Sequence, residues 1–151
     1  MTASRWLRVA AVIMLLFAAG HTMGGRQAWS PIGETPVLQS MREFRFDAMG
    51  TSRSYLEFYL GFGYVISVLQ FMQAVLLWQV AGLARENARR MRPVIGTFLV
   101  AAIASTIVTW RYIFLVPTIF SIVYTVTVML AFVAAGGTSG TSAARATGAA
   151  D

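Results

Sequence analysis

Hydrophobic positions along this chain fall into long unbroken runs rather than into the alternation of a half-buried strand or the narrow stripe of a soluble amphipathic helix. Residues 6–25 carry no charge after Arg8, and residues 55–83 carry only Glu57. Residues 93–112 carry only Arg111, and residues 117–135 carry no charge. Each run approaches or exceeds the ~20 apolar residues that cross a bilayer as a helix. Between residues 93 and 135 the chain never becomes properly polar. One straight helix of that length would measure ~64 Å, about twice the ~30 Å hydrocarbon thickness. It must turn back, and Arg111-Tyr112 followed by Pro117 marks the turn, with Pro117 opening the fourth helix. Pro93 is likewise suited to the first position of the third.

The polar intervals carry their own signals. Within residues 26–54, Val37, Leu38, Met41, Phe44 and Ala48 recur at helical spacing opposite Gln39, Arg42, Glu43 and Asp47. Thr35 followed by Pro36 reads as a helix start. A short amphipathic helix lying on the membrane surface is predicted there. The end of the chain, residues 136–151, is Gly, Ser, Thr and Ala with Arg145; it has nothing to bury and is expected to be disordered.

The expected fold is therefore an all-α membrane protein: a bundle of four transmembrane helices over residues 6–25, 55–83, 93–112 and 117–135, one domain over residues 1–135, with the interfacial helix in its first outer loop. The first run also resembles a signal peptide, since Arg5 and Arg8 precede Val9 and Ala18-Ala19-Gly20 could be cleaved. Against cleavage, the apolar stretch continues through Met23, and three remaining helices would put the termini on opposite sides.

Composition agrees with lipid as the solvent. Of 151 residues, 57% are hydrophobic and 12% charged, about half the charge usual in a soluble domain. The net charge is +6, but the arginines are scattered at helix ends rather than gathered on one face, which argues against a nucleic-acid partner. They read as orientation signals. With the N-terminus in the cytoplasm, the short 2–3 loop with Arg85, Arg89, Arg90 and Arg92 lies inside, with Arg5, Arg8 and Arg145. Arg26, Arg42, Arg45, Arg53 and Arg111 then lie outside. Trp6 and Trp78 fall at the inner interface, Trp29 and Trp110 at the outer one, and both termini are expected in the cytoplasm. Cysteine is absent, which excludes disulfides, thiolate metal sites and a cysteine nucleophile.

Helices in lipid associate through close packing and through hydrogen bonds between small or polar residues. Such stripes are present: Gly20-x-x-x-Gly24 in the first helix; Tyr55, Tyr59, Gly63, Gln70 and Gln73 on one face of the second; Ala102, Ser105, Thr106 and Thr109 in the third; Thr118, Ser121 and Thr125 in the fourth. Gln70 and Gln73, with Ser105, Thr109, Ser121 and Thr125, are expected in the bundle interior, because an amide facing lipid is costly.

Away from the inner arginines, the ionisable residues within or beside the spans are His21, Glu57 and Arg111, all placed towards the outer helix ends. Each has a structural reading. Ser54-x-x-Glu57 has capping-box spacing, Arg111 between Trp110 and Tyr112 can reach the headgroups, and His21 is near the end of its helix. Meeting in space, they would form with Tyr55, Tyr59 and Tyr112 a polar pocket under an aromatic rim, able to hold a lipid headgroup, a quinone or another amphiphile. Acid–base chemistry at His21 is conceivable. A second histidine and any nucleophile-elbow, phosphate-loop or zinc-peptidase motif are missing, so no catalytic residue and no metal ligand is assigned, and the cofactor is left unknown.

Gly20-His21-Thr22, the string Ser54-Tyr55-Leu56-Glu57-Phe58-Tyr59-Leu60-Gly61-Phe62-Gly63, and Trp110-Arg111-Tyr112-Ile113-Phe114 with Pro117 together resemble an uncharacterised family of small bacterial four-helix integral membrane proteins. The resemblance implies a bacterial inner-membrane location and four spans, but no activity. The leading expectation is a non-enzymatic membrane protein that binds lipid or a protein partner at its outer face. Its alternatives are a small enzyme or redox accessory acting on a membrane-soluble ligand, and a channel or transporter formed by homo-oligomerisation.

Overall fold

The structure, a computed structural model, describes residues 1–137 and is mostly helical. Helix α1 spans Ala3–Gly25, α2 Pro36–Glu43, α3 Tyr55–Tyr112 and α4 Leu115–Gly136; strands β1 (Arg45–Ala48) and β2 (Thr51–Ser54) lie between α2 and α3. Helices α1, α3 and α4 are long and apolar enough to cross a membrane. Most of the tail expected over residues 136–151 lies outside the described residues.

Helix α3 is 58 residues long, about 87 Å if straight, yet Asn87 has non-helical φ −149° and ψ 88°. The chain reverses there. Gln73 Nε2 donates to Tyr124 Oη (2.7 Å), and Thr106 Oγ1 lies 2.9 Å from Thr125 Oγ1, so residues on either side of Asn87 meet neighbouring positions of α4. A continuous helix would hold Gln73 and Thr106 about 50 Å apart at about 1.5 Å per residue. The Asn87 side chain accepts from Arg90 N (3.0 Å), which caps the arm that follows. Pro93 was expected to open that arm; the capping asparagine starts it earlier, and Pro93 sits inside the helix. Similarly, α4 begins at Leu115 rather than Pro117, which occupies its first turn, where no amide donor is required.

The described residues pack as two compact units, Met1–Met14 with residues 73–137, and Leu15–Met72. The first is held through small and hydroxyl side chains together with the fully buried Leu7, Leu77, Ile95 and Val128. Ala74, Ala81, Ala102, Ala131 and Ala135 are buried with Ser4, Thr118 and Ser121, and the Ser4 hydroxyl donates to the Ala81 carbonyl (2.6 Å). Small residues let backbones approach closely, which is how helices adhere where surrounding lipid offers no hydrophobic gain. Ser105, expected in this packing, is exposed: Thr106, one residue round the helix, takes the position against α4, while Thr109 is half-buried.

In the second unit α2 starts as its sequence predicts, with Thr35 Oγ1 accepting from Leu38 N (3.2 Å) and Pro36 in the first turn. It does not continue through Phe44 and Ala48, as their spacing suggested. Phe44 is extended (φ −71°, ψ 114°), and Arg45–Ala48 pairs antiparallel with Thr51–Ser54. The joining residues Met49 and Gly50 have φ +52° and +79°, the two positive values of a type I′ turn, and Asp47 Oδ1 accepts from Gly50 N (2.7 Å).

Candidate functional site

The second unit contains two of the ionisable residues singled out from sequence, and it gives them separate surroundings. His21 lies in the last turns of α1, where Nδ1 is 3.0 Å from Ser67 Oγ of α3. Its backbone carbonyl accepts from Trp29 Nε1 (2.8 Å), and the two rings sit 5.0 Å apart. The chain leaves α1 through Ala28 and Trp29, both at positive φ, which folds the indole back onto the helix. The indole then lies against Gly24, Gly25 and Gly63, with its edges towards Tyr59 and Tyr64. Gly20-x-x-x-Gly24 was expected to admit a neighbouring backbone. Instead, Gly24 accommodates the Trp29 ring and nothing stands over Gly20. Trp29 is a half-buried packing residue rather than a free interfacial anchor.

Glu57 performs a different task at the start of α3. Its Oε2 accepts from Ser54 N (2.7 Å) while Ser54 Oγ accepts from Glu57 N (3.1 Å), the reciprocal bonds of a capping box. The same oxygen lies 3.5 Å from Arg45, whose guanidinium also donates to Ser52 across the hairpin. Tyr55 stacks on Phe44 and meets Phe46 at a tilt, so this aromatic residue joins the hairpin to α3. Arg111 belongs to the first unit and lies over the ring of Tyr112, 5.4 Å from its centroid. Both of these residues are exposed.

A groove of about 640 Å³ runs along α1 and α3 in the second unit. Leu15, Ala19, Met23, Val68 and Phe71 form most of its wall. Two of its hydroxyls are committed: Thr22 Oγ1 donates to the Ala18 carbonyl (2.7 Å), and Ser67 is the partner of His21; the phenol of Tyr64 lines it as well. The groove therefore offers an apolar surface with a satisfied polar pair at its side. Among the glutamines, Gln73 is satisfied by Tyr124, whereas the buried Oε1 of Gln70 has no hydrogen-bond partner among the described residues. The described residues contain no group of His, Asp and Glu that could hold a metal ion.

Sequence reasoning singled out His21 but missed Ser67 and the role of Trp29. The available signal was Gly63-x-x-x-Ser67, two small residues one turn apart opposite an aromatic-bearing loop. No family model matches the chain, and neither the curated proteins nor the solved structures contain a match.

Proposed function

We propose that the chain is an integral membrane protein with four crossings and cytoplasmic termini, and that it binds the hydrocarbon part of a membrane lipid without catalysing a reaction. The observation that carries this reading is the groove along α1 and α3, large enough for a ligand and walled by apolar side chains. Its Thr22 and Ser67 hydroxyls have partners within the protein, which leaves the Tyr64 phenol as the polar group on an otherwise apolar wall, so the groove suits an acyl or isoprenoid chain better than a polar substrate. The arms of α3 on either side of Asn87 supply the two middle crossings, since one bilayer cannot hold 58 helical residues in a single pass. Arginines concentrate at that turn, which supports its cytoplasmic placement and puts α2 and the hairpin outside. The resemblance to small bacterial four-helix proteins points to a bacterial inner membrane.

Photocrosslinking tests the reading. A phospholipid bearing a diazirine in its acyl chain, reconstituted with the full chain, should label peptides covering residues 15–23 and 64–71. Ala19→Trp, which fills the groove from an exposed position, should abolish that labelling while the protein stays folded. Labelling spread evenly over all apolar helices, unchanged in Ala19→Trp, would reject the groove as a binding site.

A further inference from the structure

The first unit contains a second and larger cavity, about 880 Å³, at the start of α1 and the turn of α3. Its character is opposite to that of the apolar groove. Arg5, Arg8, Arg85 and Arg89 line it, and Glu86 is the one carboxylate among the described residues of its wall. Among the described residues the ion pairs are Arg42–Glu34 and Arg45–Glu57, and neither involves Arg5, Arg8 or Arg85. Arg8 is the most telling member. Its guanidinium lies 5.3 Å from the centre of the Trp78 ring, and its Nε is buried without a hydrogen-bond partner among the described residues. A buried guanidinium N–H lacking an acceptor is costly, and an anion oxygen would relieve it.

Two helix beginnings border the same cavity. Thr2 and Ala3 open α1, while Asn87 and Ala88 open the second arm of α3. Helix starts present free amide donors and a positive dipole end, which adds to the field of the arginines. Guanidinium groups suit phosphate oxygens in particular, because their donors match paired oxygens. We infer that this arginine-lined cavity binds the phosphate of an anionic membrane lipid. The inference rests on the membrane placement proposed above but not on the groove, which lies in the other unit and has no charged wall.

The test is native mass spectrometry of the full chain in mild detergent, supplied with phosphatidylglycerol or phosphatidylcholine of matched chains, or with inorganic phosphate. Phosphatidylglycerol should be retained over phosphatidylcholine, and Arg85→Gln with Arg89→Gln should weaken retention by about tenfold or more. These two side chains are exposed, so the variant should keep its fold. Arg5→Gln with Arg8→Gln forms a second inward pair with the same expected loss, and Arg42→Gln with Arg53→Gln, on the hairpin side, should change nothing. Equal retention of both lipids, or phosphatidylglycerol retention untouched by either inward pair, overturns the inference. So does displacement of phosphatidylglycerol by stoichiometric inorganic phosphate, which would assign the cavity to a soluble anion. Loss of retention only in the hairpin-side pair would put the phosphate elsewhere while leaving the membrane reading intact.

Discussion

The indole of Trp29 occupies the space in which a side chain at Gly63 would stand. Gly63→Ala must therefore push away a ring that Gly25 and Tyr64 also confine, and overpacking of this kind costs about 1–3 kcal/mol. A lower melting temperature in detergent, with altered tryptophan fluorescence, is the expected outcome. Trp29→Ala removes the obstruction, so adding Gly63→Ala to it should cost little. Additive losses in that double variant would mean that the ring is not what forbids a methyl at this position.

Ala28 and Trp29 hold left-handed backbone (φ 50° and 48°), a conformation costing about 1–2 kcal/mol for a residue with a Cβ. Ala28→Gly should raise thermal stability by up to about 1 kcal/mol after allowing for the greater freedom of glycine when unfolded. A melting curve moving the other way would show that this loop is not held in the conformation described.

Glu57 offers a clean separation of cap from charge. Glu57→Gln retains an acceptor for Ser54 N and removes only the exposed ion pair with Arg45, a change of about 0–1 kcal/mol. Glu57→Ala removes the cap as well and should cost about 1 kcal/mol more. If the two substitutions prove equally harmful, in stability or in lipid retention, the carboxylate has a task that capping does not describe.

Gln73 and Tyr124 form the polar link between the first arm of α3 and α4. Tyr124→Phe should destabilise the protein by about 0.6 kcal/mol and by no more than about 1.7 kcal/mol, the mean and the maximum for hydrogen bonds between helices in lipid. Gln73→Leu combined with Tyr124→Phe should recover part of the loss, because neither polar partner is then stranded. Resistance to unfolding in mixed detergent micelles reads both.

The absence of native cysteine makes sidedness directly measurable. Met49→Cys at the fully exposed hairpin tip should react with an impermeant maleimide applied to the face proposed as the outer one, and Glu86→Cys beside the turn of α3 should not. The reverse pattern would invert the proposed orientation. Reaction of both from one side would rule out the crossing by the first arm of α3.

Much of the fold was legible because long apolar runs and helix caps are local signals. The presence of α1 and α4, the Thr35 cap and the Ser54–Glu57 pair all follow from adjacent residues. The hairpin was not legible. Phe44 and Ala48 continue a helical spacing by chance, and only the Asp47–Gly50 turn chemistry distinguishes a strand pair from another helical turn. The reversal of α3 was expected within the polar loop, but its position was drawn towards Pro93, because proline is a louder signal than one capping asparagine. The candidate site was least legible. His21 and Glu57 were noticed for their charge, whereas their partners Ser67, Trp29 and Arg45 were fixed by long-range packing.

The turn at Asn87 also bears on how the protein is made. A single non-helical residue joins the two arms of α3, which leaves no slack between them. On the four-crossing reading, neither arm can settle across the bilayer while the other waits in water. On that reading the two arms form one closely joined helical hairpin, with the guanidinium groups of Arg85, Arg89 and Arg90 gathered at its closed end as the signal that would orient it.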